Sequence, residues 1–122
     1  MPRVLIVDDS PTETYKFKET LEKHGFEIIS ADNGADGVAV ARQEQPDVVL
    51  MDVVMPGLNG FQATRQLSKG EDTKHIPVII VTTKDQETDK VWGRRQGATD
   101  YLTKPVDEAV LIDTINRAMS GG

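Results

Sequence analysis

The chain has 122 residues, no cysteine and a formal net charge of −6, which is typical of one domain with an acidic surface and excludes disulfides and thiol chemistry. The negative charge argues against a nucleic-acid partner, because phosphate backbones bind clustered lysine and arginine. No apolar run approaches the about 20 residues of a membrane span and no signal-peptide pattern is present, so we expect a cytoplasmic protein without membrane insertion, organised as one domain over residues 1–122.

Five segments have the composition of β-strands. Three are continuous apolar runs with β-branched residues, which is typical of parallel strands covered by helices on both faces. The second and fifth are more mixed, which favours positions nearer the edges of a sheet. In chain order the predicted strands are Val4–Val7, Phe26–Ile29, Val48–Met51, Val78–Val81 and Thr99–Leu102.

The segments between the strands predict helices with readable ends. The first helix begins at Ser10, where Ser10–Glu13 has the pattern of a capping box and Pro11 takes the first helical position, and it ends at Gly25. The second helix is capped by Asn33. The residues predicted to face inward are Phe17, Leu21 and His24 in the first helix and Ala35, Val38, Ala39 and Ala41 in the second.

Three more helices follow. The third runs from Gly60 to Leu67, the fourth opens at a possible capping box in Thr83–Gln86 and ends at Gly97, and the fifth is capped by Asp107. The predicted inward residues are Phe61, Thr64 and Leu67 in the third helix and Leu111, Ile115 and Ala118 in the fifth.

This alternation of strand and helix predicts an α/β fold of the flavodoxin-like (βα)5 type. Right-handed crossovers give a doubly wound, five-stranded parallel sheet. The strand order 2-1-3-4-5 places the first and third strands side by side, and a ligand crevice then lies at their carboxyl ends.

Polar residues follow four of the predicted strands, and the fold would bring them to one rim of the sheet. Three carboxylates packed together repel one another unless a cation binds. A site with few carboxylates and retained waters suits Mg2+. In strand order, these residues are Asp8 and Asp9, Asp52, Thr82, and Lys104 with Pro105.

The same rim has the parts of a phosphoryl acceptor. A carboxylate can attack phosphorus and form an acyl phosphate, and Asp52 is the best-placed nucleophile because its strand is central. Lys104 supplies a compact positive charge for the phosphate, Thr82 supplies a hydroxyl donor, and the backbone after Asp52, in Val53–Met55, supplies N–H groups.

On these residues the chain resembles the receiver domains of bacterial response regulators, which are CheY-like, over essentially its whole length. The resemblance implies a stand-alone receiver that takes a phosphoryl group from the phosphohistidine of a histidine kinase, with a CheA-type kinase expected. The matching segments are Val7–Asp9, Leu50–Gly57, Val81–Thr83, Gly97–Ala98 and Tyr101–Pro105.

The resemblance also implies roles for individual residues. Asp52 is the phosphoacceptor, and Mg2+ is held by Asp8, Asp9, Asp52 and the backbone carbonyl of Val54. Lys104 holds the phosphate, and its bond to Pro105 is cis, which costs an X–Pro bond only about 0.5–1 kcal/mol.

A second set of implied roles concerns signalling. Thr82 and Tyr101 match the family's switch pair, in which the hydroxyl moves toward the phosphate and the ring turns inward. The face built from the fourth helix, fifth strand and fifth helix then carries the signal, and Trp92 and its neighbours Arg94–Gln96 are candidates for a partner surface.

A narrower resemblance links two segments, Met55–Arg65 and Thr82–Gly93, to the PilH-type regulators of the chemosensory system that controls type IV pilus twitching motility. No output domain is expected after the fifth helix. The output is then a protein contact, a phosphate sink that drains a shared kinase, or a phosphorelay step to a second histidine. We expect a monomer, with phosphorylation-dependent dimerisation and a separate phosphatase left open.

Two residues beside the site, Val54 and Lys84, flank the route by which water reaches the phosphoryl group. Many receivers carry polar or acidic groups at these places, whereas valine cannot orient a water through its side chain. We therefore hypothesise that Val54 and Lys84 tune self-dephosphorylation.

Three other classes of protein share parts of this pattern. A haloacid dehalogenase-type phosphatase would need a second acid two residues after the nucleophile, where Val54 stands, and a cap insertion that these short loops lack. A flavodoxin-like electron carrier would need a phosphate loop that Asp8 and Asp9 would repel. A receiver-like scaffold that no longer takes phosphate is disfavoured because all five site residues are present.

Overall fold

The computed structural model describes residues 1–121, in which five strands and five helices alternate. Within this range no helix is long and apolar enough to cross a membrane. The strands are β1 (Arg3–Val7), β2 (Glu27–Ala31), β3 (Val48–Met51), β4 (Val78–Thr82) and β5 (Asp100–Thr103). The helices are α1 (Pro11–Lys23), α2 (Gly34–Glu44), α3 (Gly60–Lys69), α4 (Glu87–Arg95) and α5 (Glu108–Met119).

All five strands are parallel, and their order is β2-β1-β3-β4-β5. The predicted fold class and strand order are therefore confirmed. The two mixed segments are the edge strands, although each begins one residue later than predicted, at Glu27 and Asp100. The three apolar runs form the central strands, and every residue of β3 and β4 is buried.

The sheet separates two apolar layers, because successive side chains of a strand point to opposite faces. Val4 and Ile6 of β1 pack on the side covered by α1 and α5, whereas Leu5 and Val7 pack on the side covered by α2 and α3. Burial of each such side chain stabilises the fold by about 1.5–3 kcal/mol. The strands are thereby fixed on both faces, and the residues that follow them are held in place.

Three of the predicted helix caps are present, with Ser10, Asn33 and Asp107 accepting hydrogen bonds from the first turns of α1, α2 and α5. The capping box predicted at Ser10–Glu13 is only half formed. The Ser10 side chain accepts from Glu13 N at 3.3 Å, but Ser10 N donates to Asp8 Oδ1 at 2.9 Å. The cap is therefore tied to the acid that follows β1.

The prediction that Thr83–Gln86 opens the fourth helix was wrong. Helix α4 begins at Glu87, and Gln86 N donates to Asp89 Oδ2 at 3.3 Å. The preceding loop is tied to β5, because the carbonyl of Lys84 accepts a hydrogen bond from the Tyr101 hydroxyl at 2.7 Å. Helix α3 starts at a capping box between Asn59 and Gln62 that was not among the predicted caps.

The predicted inner faces of the first two helices need correction. His24 is exposed because it lies beyond the last turn of α1, where it is 3.4 Å from Glu108 Oε2. Ala35 and Ala39 are also exposed, and the inner face of α2 is formed by Gly34, Gly37, Val38 and Ala41. The reason is a close approach to the sheet, since a Cβ at Gly37 would lie 2.8 Å from both Val7 methyl carbons.

Replacing Gly37 with alanine is expected to destabilise the protein by about 1–3 kcal/mol, the usual cost of overpacking, although alanine is intrinsically the better helix former. Urea unfolding measures this change in the free energy of unfolding. The matched control is the same substitution in a Val7→Ala background, where space is available and the change should become neutral or stabilising. Equal destabilisation in both backgrounds would contradict the packing explanation.

Candidate functional site

The sheet register brings the acids of two neighbouring strands together. Val7 pairs with Met51, so Asp8 and Asp52 follow paired residues, and Asp52 N donates to Val7 O at 2.9 Å. Carboxylate oxygens of Asp8, Asp9 and Asp52 lie within 4.8 Å of one another. The predicted gathering of the three acids at the carboxyl ends of β1 and β3 is present.

The lysine after β5 reaches the same rim. Lys104 Nζ donates to Asp8 Oδ2 at 2.8 Å and lies 3.8 Å from Asp52 Oδ2. The side chain of Lys104 is 12% exposed, that of Asp8 3% and that of Asp52 10%, whereas Asp9 is exposed. One ammonium group therefore bridges the two buried acids and leaves Asp9 on the solvent side.

Burial and charge act in opposite directions on these groups. Burial raises the pKa of Asp52, Lys104 lowers it, and the charge of Asp8 raises it again, so that it lies above its ordinary value. Burial lowers the pKa of Lys104, but the hydrogen bond to Asp8 and the charge of Asp52 outweigh this effect and raise it. The lysine is accordingly a fixed cation beside a carboxylate whose ionised form is disfavoured by burial.

The backbone after Asp52 is held close to the acid. Val53 N donates to Asp52 Oδ1 at 2.8 Å, and Gly60 N donates to Val53 O at 3.1 Å. A Cβ at Gly60 would lie 1.9 Å from the Asp52 carbonyl oxygen, so only glycine permits this approach. The side chain of Val54, two residues after Asp52, is exposed and contributes no polar group to the rim.

Thr82 and Tyr101 are linked through the loop between β4 and α4. Thr82 is fully buried, and its Oγ1 accepts from Lys84 N at 3.4 Å. Tyr101 is buried, and its hydroxyl donates to the carbonyl of Lys84. Burial, together with the charges of Asp89 and Asp85, raises the pKa of Tyr101 to about 12, so the hydroxyl stays a donor.

The remaining predicted site residues border the rim. The peptide bond between Lys104 and Pro105 is cis, as the resemblance implies. The side chain of Lys84 is 42% exposed, with Nζ 4.0 Å from Asp89 Oδ1. It therefore lies at the solvent margin.

The donor set at the rim consists of carboxylate oxygens, which are the hard ligands that Mg2+ and Ca2+ prefer. Within residues 1–121 this is the one group of three such side chains close enough to share an ion. Few carboxylates with an open, exposed side suit Mg2+, because Mg2+ keeps several of its waters. The residues present therefore fit a divalent cation.

One neighbour of the site was missed in the sequence. The ring centroid of Phe17 lies 5.9 Å from Lys104 Nζ. The sequence identifies Phe17 only as an inward residue of α1, and Lys104 is remote along the chain. The pairing depends on how α1 and α5 share one apolar layer, with Lys104 in the segment before α5, which no local pattern reveals.

Comparison with known proteins agrees with this geometry. The sequence profile of the response regulator receiver domain family matches residues 4–116. Because this match covers nearly the whole chain, the chain belongs to the response regulator receiver domain family, whose members are phosphoacceptor signalling modules.

Within that family the chain is 73% identical to Protein PilH of Pseudomonas aeruginosa, over 99% of this chain and 100% of that protein. It is 38% identical to the response regulator PleD of Caulobacter vibrioides, over 90% of this chain and 24% of that protein. The chain is therefore a homologue of PilH over the whole length of that protein.

Solved structures give the same fold. The chemotaxis protein CheY4 of Vibrio cholerae superimposes with a TM-score of 0.90 at 32% identity, covering 97% of this chain and 98% of that one. The receiver domain of the sensor histidine kinase PA1611 of Pseudomonas aeruginosa superimposes with a TM-score of 0.90 at 28% identity, covering 98% of each chain. That receiver has a magnesium ion coordinated in its active-site cleft.

Replacing Asp52 with asparagine is expected to raise the thermal midpoint of the metal-free protein by a few degrees at pH 7. Because burial raises the pKa of Asp52 on folding, its ionisation opposes folding. This opposition is absent below the ordinary pKa of 3.8 and complete above the raised folded value.

The difference in midpoint between Asp52→Asn and the native chain should therefore shrink as the pH falls toward 3.8. Calorimetry in a chelating buffer checks both points. The control is Asp113→Asn, on the exposed face of α5. A stabilisation that is equal in the two variants, or that does not vary with pH, would contradict the explanation.

Proposed function

We propose that this chain accepts a phosphoryl group on Asp52 from the phosphohistidine of a histidine kinase. The observation that carries the proposal is the cluster of Asp8, Asp9 and Asp52 within 4.8 Å, with Lys104 Nζ against two of the three. Membership of the receiver family supports the same reading.

The proposed transfer exchanges one bond to phosphorus for another. A carboxylate oxygen of Asp52 forms the new P–O bond while the P–N bond to the histidine breaks, and the bonding electron pair stays on the imidazole nitrogen. Lys104 and the hydroxyl of Thr82 contact phosphoryl oxygens, and the N–H groups after Asp52 orient the carboxylate. Preorganised donors of this kind lower the barrier by stabilising charge where it develops.

We propose Mg2+ as the cofactor, with Asp8, Asp9, Asp52 and the carbonyl of Val54 as its protein ligands. When bound, Mg2+ neutralises charge on the transferring group. Supporting the assignment are the oxygen donor set and the magnesium ion coordinated in the related receiver of PA1611. Asp9 is the exposed member of the set, so it is the acid best placed to act through water.

For the biological setting we propose the chemosensory system that controls type IV pilus twitching motility, with a CheA-type kinase as donor. The likeness to Protein PilH over the full length of that protein supports this setting. The output is proposed to be protein contact through the face of α4, β5 and α5, or action as a phosphate sink. Val91 and Trp92 of α4 and Val110 of α5 are large apolar side chains exposed on these elements, which suits a protein contact.

Incubation with Mg2+ and acetyl phosphate or phosphorylated kinase is expected to add one phosphate to the intact mass. Asp52→Asn should abolish this gain, because no other carboxylate of the cluster lies at the centre of the sheet, whereas Asp113→Asn should leave it unchanged. Removal of Mg2+ with a chelator should slow the gain at least tenfold. Continuous release of inorganic phosphate from phosphate esters would instead favour a phosphatase.

The lifetime of the phosphorylated form provides a second test. Val54→Asn and Lys84→Glu place new polar groups beside the rim, so each is expected to change the rate of self-dephosphorylation at least threefold. Loss of the added phosphate is followed by mass after the donor is removed, with Val110→Ala as the control. Unchanged rates in both variants would refute a tuning role for these residues.

A further inference from the structure

An aromatic ring also contacts the lysine of the site. Lys104 Nζ lies over the ring of Phe17 at 5.9 Å from the centroid, within the about 6 Å over which a cation is attracted to a ring face. On its other side the same ammonium group meets Asp8 and Asp52. The lysine is therefore held between two acids and one aromatic face.

The ring itself has little freedom. Phe17 is partly buried and packs against the apolar layer under α1 and α5, which includes Leu21 and Leu111. Its position is set by the inward face of α1, because Leu21 lies one turn further along the same helix. The ring is thus a fixed surface, whereas lysine has four rotatable bonds.

An open groove lies beside Lys104. A groove of about 1030 Å³ lies between α1 and the start of α5, and Phe17, Lys104, Pro105 and Val106 are among its lining residues. A lysine released from the acids would have room to swing into this space. The ring of Phe17 lines the same space and faces the lysine.

We propose that Phe17 is a positioning residue that keeps Lys104 over Asp8 and Asp52 and out of the groove. This inference rests on the proposed function of Asp52 as phosphoacceptor. The role is needed because a cation that binds Asp8 takes over the carboxylate that now accepts from Lys104, before a phosphoryl group has arrived to bind the lysine. The ring contact does not depend on Asp8, so it persists when the cation binds.

The test compares Phe17→Leu, which keeps the apolar packing, with Phe17→Tyr, which keeps an aromatic face. Phosphorylation by acetyl phosphate should slow roughly three- to tenfold in Phe17→Leu, as expected for loss of a partly desolvated cation–π contact, and should be restored in Phe17→Tyr. Tyr15→Leu, an exposed aromatic on the same helix, is the control and should phosphorylate at the native rate.

Two further measurements separate positioning from a general loss of structure. Mg2+ affinity in Phe17→Leu should be unchanged or tighter, because a lysine that leaves Asp8 no longer competes with the cation, whereas a damaged site would bind Mg2+ more weakly. In a Lys104→Met background, Phe17→Leu should cause no additional slowing. Weaker Mg2+ binding, additional slowing, or a native rate in Phe17→Leu would each overturn the inference.

A spectroscopic measurement on the native chain needs no variant at position 17. The Hε protons of Lys104, assigned by their loss in Lys104→Met, should be shifted upfield by the ring current of Phe17, and the absence of a shift would overturn the inference. If the native chain gains no phosphate, the proposed function fails as well. If the native chain gains phosphate and Phe17→Leu does so equally fast, only the role of Phe17 fails.

Discussion

Repulsion among three carboxylates at one rim is the interaction on which the rest of the structure depends. Parallel strands end at the same edge of the sheet, so the pairing of β1 with β3 keeps Asp8 and Asp52 side by side, and Asp9 follows Asp8 directly. Lys104 offsets part of their charge, and the four groups together retain two negative charges in excess. A divalent cation would balance that excess, which is consistent with the proposed use of Mg2+.

The apolar layers provide the stability that makes such a cluster tolerable. Burial raises the pKa of Asp52, so its ionised form weakens the fold. Central strands buried on both faces offset this cost, because each of their large side chains contributes about 1.5–3 kcal/mol. The buried carboxylate of Asp52 thus lowers the stability of the fold locally, and the well-packed central strands compensate for this loss.

Much of the fold and of the candidate site could be predicted because two features of the sequence agree: apolar runs that mark buried strands, and polar residues that follow those runs. Apolar runs such as Val48–Met51 mark buried strands, and the polar residue after each run must then lie at the common rim. Asp52 and Thr82 were found in this way, and Lys104 was found from the end of the more mixed fifth strand, without knowledge of any contact between them. The edge positions of β2 and β5 followed from their mixed composition.

The features that could not be predicted depend on contacts between remote segments. The inner face of α2 was misassigned because Gly37, which has no apolar side chain, is the residue that meets Val7. The start of α4 was misplaced, and the loop before it makes a hydrogen bond from the Tyr101 hydroxyl to the carbonyl of Lys84 that ties it to β5. In both places the structure contains a contact between remote segments that the local sequence does not show.

Two helix glycines, Gly37 and Gly60, lie against the strand ends that carry the acids, so substitutions there can affect the site. Gly37 packs against the side chain of Val7, the residue before Asp8, and Gly60 packs against the carbonyl of Asp52, so a helix glycine lies close to each acid-bearing strand end. A methyl group at Gly60 would lie 1.9 Å from the Asp52 carbonyl oxygen and would force the backbone of the acid to move, and one at Gly37 would press on the residue before Asp8, in neither case altering a charged atom. A survey of variants that fold but are inactive should therefore include substitutions of Gly37 and Gly60, although neither residue has a side chain that could bind a ligand.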